Sequence, residues 1–396
     1  MERPALHLEQ GTPGYGAEKR GTPTLRHMTP LLPWRLASGL RFLADFPRRL
    51  AARRSFRRIN RVKNARVVLG LGGVLDNRHL VHGGAVKLLH LQEAFPCDGA
   101  EFNLLYLVSS AQPAFAIDLA KACKKKEIPL VWNQNGVGYP AWAGGASELH
   151  NAAMRKMRNM ASFVVYQSSF CRESAERFLG PENAPGEVLF NPVNLQRFQP
   201  AKFPLASSPM RLLAMGTQNY SERLFSALEC VKHLLEGGVE ALLTVAGPLI
   251  WKDAKAEVAD RIDQLGLRGF VTILPPFTQQ DAPDIYRAHH ILLHPKYLDP
   301  CPTVVAEAMA CGLPIVGSGS GGVPEMTDSA CAELVNLPQV WDKLLTPSGG
   351  ELASAVMKIR DRHAEAGRAA RQRAEELFDA GGWVQRHREI FSGVLR

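Results

Sequence analysis

The chain has 396 residues, 46% hydrophobic and 21% charged, with 34 Gly and 27 Pro. That length exceeds a single compact core, which stops growing near ~250–300 residues, and the composition excludes collagen-like, wholly disordered and disulfide-scaffold classes. The net charge of +9 sits unevenly: residues 1–70 hold 15 Lys+Arg against 4 Asp+Glu, or +11, leaving 32 against 34, or −2, for the rest.

Residues 1–30 are rich in Gly, Pro and Thr without apolar periodicity and read as disordered, with Met28 an alternative start. The N-terminus lacks the apolar core and small-residue cleavage site of a secretory signal. Trp34, Leu36, Leu40, Leu43 and Phe46 approximate a helical face that stops at Pro47. Ala52, Phe56, Ile59 and Val62 form a second face, opposite Arg53, Arg54, Arg57, Arg58 and Arg61. Seven Arg between residues 48 and 61, with no acid among them, favour an interfacial anchor on an anionic membrane through residues 34–62. Trp34, Phe42, Phe46 and Phe56 are its apolar contacts. The alternatives are a disordered cationic tail, a helix packed on the body, or an organelle transit peptide.

From residue 66 short β-like runs alternate with helical stretches. The first half offers strands at 67–71, 103–109, 129–134, 163–168 and 187–190, with helices at Gly84–Ala94 and Ala114–Lys125. The second half repeats the rhythm at 211–216, 241–247, 271–275, 291–295, 314–318 and 332–336. This alternation predicts an α/β fold of two facing Rossmann-like domains with parallel sheets, joined near 191–200, with the ligand site in the cleft beyond the strands' carboxyl ends. The seven Cys lie far apart without CxxC spacing and read as reduced thiols in a cytoplasmic protein.

The most informative segment is Asp299–Glu325 (DPCPTVVAEAMACGLPIVGSGSGGVPE). Thr303 is placed to N-cap a helix through Cys311, which Gly312 ends and Pro314 keeps from continuing. The free amides at its start suit a diphosphate. Asp299 precedes that start and Glu307 lies one turn inside, so one carboxylate can face a sugar and the other a ribose. Gly317, Gly319, Gly321 and Gly322 form a loop in which backbone can approach a ligand closely.

Residues 307–316 (EAMACGLPIV) and 321–325 (GGVPE) resemble, almost letter for letter, the signature of glycosyltransferase family 4, retaining enzymes of the GT-B fold. The resemblance extends more weakly over roughly 66–395: NPVNLQRF (191–198) is similar to the interdomain segment, VYQSSFCRESAERFLG (165–180) to the unit before it, LLTVAGP (242–248) to a strand ending in an Ala-Gly pair. GGWVQRHREIF (381–391) is similar to the last helix, which crosses back to the N-terminal domain. Charge and composition set off a basic arm over 1–65; the resemblance implies an acceptor domain over 66–194, a nucleotide-sugar donor domain over 195–375 and a crossing helix over 376–396.

The resemblance further implies that Glu307 holds ribose hydroxyls and that Asp299, one methylene shorter than the family's Glu, lies near the transferred sugar and the diphosphate. Pro302, Thr303 and Val304 contribute amides, with Gly216 at the end of a strand and the pair Gly83 and Gly84 against the diphosphate. The family usually places an Arg after Gly216; here Thr217 stands there, and Arg223 and Lys296 are the alternative cations for the leaving group. Asn135 stands where the family often has a His and can bond a hydroxyl without acting as acid or base. His82 is read as a turn residue, and His289, His290 and His294 as packing or edge histidines. Gly70-Leu71-Gly72-Gly73 lacks the third glycine of a dinucleotide fingerprint.

The implied activity is metal-independent, retaining sugar transfer from a nucleoside-diphosphate sugar to a carbohydrate or lipid-linked acceptor in glycan or glycolipid assembly. The protein is then cytoplasmic, peripheral on the inner membrane face, without cofactor and without a nucleic-acid partner. Two alternatives stand beside it: a nucleotide-sugar-binding subunit with impaired chemistry, motivated by Thr217 and Asn135, and a nucleic-acid binder acting through the basic arm.

Overall fold

The computed structural model describes residues 47–63, 66–72, 83–113 and 115–396. They belong to two units, 1–52 and 53–396. Of the first, residues 47–52 are described and lie in a helix. The helical face expected at Trp34–Phe46 lies outside the described residues, as does His82.

The second unit is built on two parallel sheets. The first takes β2 (Leu69–Gly70), β4 (Leu104–Val108), β5 (Leu130–Gln134), β6 (Phe163–Tyr166) and β7 (Gly186–Val188), in the spatial order β2-β4-β5-β6-β7. Two short strands that periodicity did not reveal, β1 (Asn60–Arg61) and β3 (Glu101–Phe102), pair beside it. The second sheet takes β8 (Met210–Met215), β9 (Ala241–Ala246), β10 (Val271–Ile273), β11 (Ile291–His294), β12 (Ile315–Gly319) and β13 (Ala332–Asn336). Its order, β10-β9-β8-β11-β12-β13, reverses direction between β8 and β11. That is the doubly wound pattern, with its crevice at the carboxyl ends of those two strands. All eleven expected strands are present.

The strands are apolar on both faces because helices cover both. β4 and β5 are buried throughout. One face of the second sheet packs Leu212, Leu243 and Ile291 against Leu228, Val231 and Val356; the other packs Leu213, Leu292 and Ile315 against Val305, Met309 and Ala370. The helix Ala380–Leu395, capped by Asp379 on the Gly382 amide, packs Trp383, Ile390 and Phe391 against Leu69, Leu104 and Tyr106 of the first sheet. His387 meets Tyr106 Oη at 3.1 Å, and Arg386 pairs with Glu187 at 2.6 Å. Where the chain passes from one half to the other, Val193 N–H donates to Phe378 O and Ala380 N–H to Val193 O, at 2.7 and 3.1 Å. The two crossings are therefore tied together.

The basic segment differs from the sequence reading in two ways. Its second helical face stops early: the helix covers 47–57, and residues 60–61 are strand. The half-buried Phe56 and the buried Ile59 pack on the core of the first sheet, so part of the Phe56 ring is committed to packing. Arg53 pairs with Asp118 at 3.0 Å and Arg61 with Glu127 at 3.3 Å. The Arg54, Arg57 and Arg58 side chains remain exposed. All seven cysteines are free thiols, and no described helix is long and apolar enough to cross a membrane.

Candidate functional site

The strand order locates the site. β8 ends at Met215 and its chain turns through Gly216 at φ 98°, a left-handed value that suits glycine. A Cβ on Gly247, which follows β9, would meet Gly216 O at 2.3 Å, and one on Gly216 would meet Val304 at 3.4 Å. Small residues thus bring the ends of β8 and β9 against the start of the Thr303–Ala310 helix. Pro302, not Thr303, is the N-cap of that helix, and no side chain caps it. The Thr303 cap expected from sequence fails because proline, with its fixed φ, already occupies the entry position. Gly312, at φ 77°, ends the segment as expected.

Asp299 lies between β11 and this helix, 6% exposed, with Oδ2 2.9 Å from Lys296 Nζ and 3.2 Å from His294 Nε2. Burial works to raise its carboxyl, but the Lys296 ammonium and the His294 contact outweigh it and hold the group well below the usual carboxylate range. Burial pushes His294 down, against the pull of Asp299, so the imidazole is neutral near pH 7. Sequence reasoning assigned His294 to packing; the signal was a histidine ending a strand five residues before an acid. Arg223 turns back to Gln218 Oε1 at 2.7 Å and Thr217 O at 2.8 Å. The extra residue in that loop therefore still delivers a guanidinium to the end of β8. Burial draws Arg223 down to about 10, opposed by the Asp299 charge, and it remains a cation.

The glycine loop has a different partner from the one expected. Gly317 and Gly319 belong to β12. A Cβ on Gly317 would meet His294 O at 2.1 Å, one on Gly321 Asp299 O at 2.5 Å, and one on Gly322 Pro300 O at 2.0 Å. These glycines let the chain pack on the loop that carries Asp299, and the Gly322 amide donates to Asp299 O at 2.9 Å. Glu325 then reaches the other half: its carboxylate accepts from Ser169 and Phe170 N–H, both at 2.7 Å, at the start of the Ser169–Leu179 helix. Ser168 Oγ caps the same helix through Cys171 N–H and donates to Pro300 O at 2.6 Å.

Glu307 sits apart from this group. It is 5% exposed, with Oε2 accepting from Tyr286 Oη at 2.9 Å and Oε1 from Gln279 Nε2 at 2.7 Å. Burial pushes it up to about 7, against those two donors and the Arg197 charge.

A cavity of about 500 Å³ joins the two halves. Asn135, Arg223, Lys296 and Pro300 all line it; of the other expected site residues, Asp299, Pro302, Thr303, Val304, Gly216, Gly84 and Glu307 do not. From the first half come Ser109, Ser110 and Asn135, at the ends of β4 and β5. Gly84, near the start of the Gly83–Ala94 helix, adjoins them: a Cβ there would fall 2.2 Å from Ser110 Oγ. Asn135 N–H donates to Ser109 Oγ at 2.9 Å, and its side-chain amide donates to Ser110 Oγ. Beneath it lies Lys87, which sequence reasoning missed. Lys87 is 1% exposed, and its ammonium donates to Asn133 Oδ1 and Asn135 Oδ1, both at 2.7 Å, and to Gln167 Oε1 at 3.2 Å. Burial draws it down to about 8. Because Lys87 claims the Asn135 oxygen, the amide NH2 is the end turned toward Ser110 and the cavity. Only the three-dimensional convergence of β5, β6 and this helix makes that arrangement visible.

Residues 196–338 match the family model described as glycosyl transferases group 1. That stretch contains β8–β13, Asp299 and Glu307. The D-inositol 3-phosphate glycosyltransferase of Mycolicibacterium smegmatis is 30% identical over 117 residues, 29% of this chain and 25% of that protein. The enzyme of the same name from Mycobacterium sp. strain KMS is 37% identical over 81 residues, 20% of this chain and 18% of that one. The matched stretch thus spans a quarter or less of these curated relatives' length. Among solved structures, HepE of Anabaena in complex with UDP-glucose superposes with a TM-score of 0.65 at 16% identity, covering 82% of this chain and 99% of that one. Sucrose-phosphate synthase of Thermosynechococcus elongatus does so with a TM-score of 0.58 at 17% identity, covering 78% and 77%. The architecture shared with these structures is the GT-B fold.

Proposed function

We propose that the protein transfers a sugar from a nucleoside-diphosphate donor to an acceptor hydroxyl, with retention of configuration. The observation that carries this reading is the presence of Arg223 and Lys296 in the lining of one cavity, with Asp299 paired to Lys296 in the loop just before the Thr303–Ala310 helix. A departing diphosphate needs cations and N–H dipoles already in place where its charge grows. Asp299, ionised and buried, fixes Lys296 for that task. The C1–O bond to the diphosphate breaks with its electron pair leaving on phosphate. The acceptor oxygen bonds C1 on the same face, and its proton passes to a phosphate oxygen. Asn135 offers a donor from the opposite wall, so no histidine is required there. Glu307, outside the cavity, is assigned the ribose hydroxyls, with Tyr286 and Gln279 orienting its carboxylate. The domains are assigned as an acceptor half over 66–194 and a donor half over 195–375.

The acceptor belongs to glycan or glycolipid assembly in this reading, with the protein bound peripherally to an anionic leaflet. The support is a basic face of Arg54, Arg57 and Arg58, extended by the exposed Lys121, Lys124 and Lys125 of the neighbouring helix, whose end Lys126 ties to Arg57 O at 3.1 Å. Each such cation near the surface contributes on the order of 1 kcal/mol.

The test is a thermal-shift screen of the full chain against UDP, GDP, ADP and their sugars. One nucleotide, at about 100 times its dissociation constant, raises stability by about 2.7 kcal/mol. Glu307→Ala abolishes that shift. A wild type that no nucleotide stabilises, or a variant that shifts equally, overturns the assignment.

A further inference from the structure

The cavity is chemically mixed. Beside Asn135, Ser109, Ser110, Arg223 and Lys296 its lining holds His150, Ser174, Asn219, Glu222 and Thr346, and a large part of it is aromatic or aliphatic, with Tyr139, Trp142, Phe170, Tyr220, Leu344 and Leu345. Aromatic rings line many sugar sites, and there their polar atoms usually bond the ligand. Here those of Trp142, Tyr220 and Tyr297 are bonded to the protein. Trp142 Nε1–H donates to Val137 O at 2.9 Å, and Tyr220 Oη donates to Trp142 O at 3.4 Å. Tyr297 Oη donates to Pro338 O at 2.5 Å and accepts from Val340 N–H at 2.7 Å. Phe170, Met154 and the two leucines have no hydrogen-bond donor to give.

The wall is also firmly built. Trp341, 8% exposed, stacks on Phe170 at 5.3 Å and lies edge-on to Tyr139 at 5.2 Å, and its carbonyl accepts from Ala141 N–H at 2.8 Å. The segment that leads from β13 to the helix at Gly349 thereby crosses to the first half and sets Leu344 and Leu345 against the cavity. Trp142, Tyr220 and Leu344 nevertheless stay 41%, 37% and 37% exposed. Large apolar groups left open at the rim of a cavity of ligand size mark surface that an apolar ligand covers.

We infer that the acceptor is amphipathic: a hydroxyl-bearing head at the Asn135 end and an aliphatic or aromatic group lying along Tyr139, Trp142, Tyr220 and Leu344. This inference rests on the transferase reading of the same cavity and adds the class of acceptor.

The experiment is calorimetric titration of the full chain with n-octyl and methyl β-D-glucoside, below the micelle concentration, together with a titration of the nucleotide found by the screen. The octyl glycoside is expected to bind at least about tenfold more tightly than the methyl one, the effect of about two buried methylenes. Trp142→Ala combined with Leu344→Ala removes most of that preference and leaves nucleotide affinity unchanged; both residues lie at the solvent rim, and circular dichroism checks the fold. An octyl glycoside that binds no more tightly than the methyl one, including no measurable binding of either, overturns the inference. So does an undiminished preference in the double variant. Loss of nucleotide binding with the octyl preference intact sinks the transferase reading instead, so the two failures are distinguishable.

Discussion

The two halves of the molecule build their contributions to the cavity in opposite ways. In the second half, the Lys296–Asp299 pair and the lining residues Pro295, Tyr297, Leu298 and Pro300 come from one run, His294–Glu325, folded on itself by glycines that admit backbone at van der Waals distance, with Arg223 and Leu344 added from outside it. In the first half, the corresponding groups come from Gly84, Lys87, Ser109, Ser110, Asn135, Tyr139 and Phe170, spread over more than 80 positions and gathered only by the sheet. A site made from one run tolerates little change within it. One gathered from strand ends can alter its specificity a residue at a time while the sheet stays intact.

The largest effect expected from this contrast is catalytic. Arg223→Ala and Lys296→Ala each lower kcat by about 10²–10³-fold, as loss of a preorganised partner for growing charge does, with a small change in acceptor KM. Steady-state kinetics with the donor found by the screen checks this, and a tenfold rise in acceptor KM at constant kcat would assign the cation to the acceptor.

The next effect is on stability and comes from Glu307. Its folded-state value of about 7 lies above the unfolded 4.5, so its contribution is fully present below pH 4.5 and lost as pH rises through 7. Glu307→Gln removes that loss and raises stability at pH 8 by up to about 3 kcal/mol, while abolishing the nucleotide shift. Chemical denaturation of both proteins from pH 4.5 to 8 tests the sign.

Lys87 tests the first half. Its folded value of about 8 lies below the unfolded 10.5, so wild-type stability from this group rises between pH 8 and 10.5. Lys87→Met leaves the buried Asn133 and Gln167 amide oxygens, and that of the half-buried Asn135, without their donor, at about 1–3 kcal/mol. With the Asn135 amide free to turn, acceptor KM rises while nucleotide affinity holds. A parallel fall in both would make Lys87 a packing residue only. The smallest effect is that of Glu325→Ala, which withdraws the carboxylate from the Ser169 and Phe170 amides and costs about 1 kcal/mol in thermal denaturation.

The same contrast explains what could be read from sequence. All eleven strands of the two sheets were legible because each is a short apolar run beside a helix-period stretch, and Asp299 and Glu307 were legible because they share one local motif. Thr303 was misassigned as a cap because propensity favours threonine there, whereas the neighbouring Pro302 sets the entry angle. The glycines of β12 suggested room for a ligand; their actual neighbours are His294, Asp299 and Pro300, contacts that no spacing encodes. Lys87 carries no local sign at all, since a lysine within an apolar helix reads as a snorkelling cation until Asn133, Asn135 and Gln167 close around it. The β1–β3 pair escaped because its strands, Asn60–Arg61 and Glu101–Phe102, are short and mostly polar and so lie in no apolar run.

The carboxylate of Glu325 has one more effect. A helix start left open exposes amides that must find water or another acceptor, and here the acceptor belongs to the far side of the cavity. Parting the two halves therefore uncovers the Ser169 and Phe170 amides, together with the Ser168 hydroxyl that holds Pro300. These backbone protons become a built-in gauge of closure: their exchange with deuterated solvent slows when a ligand bridges the halves, whether or not a sugar is transferred.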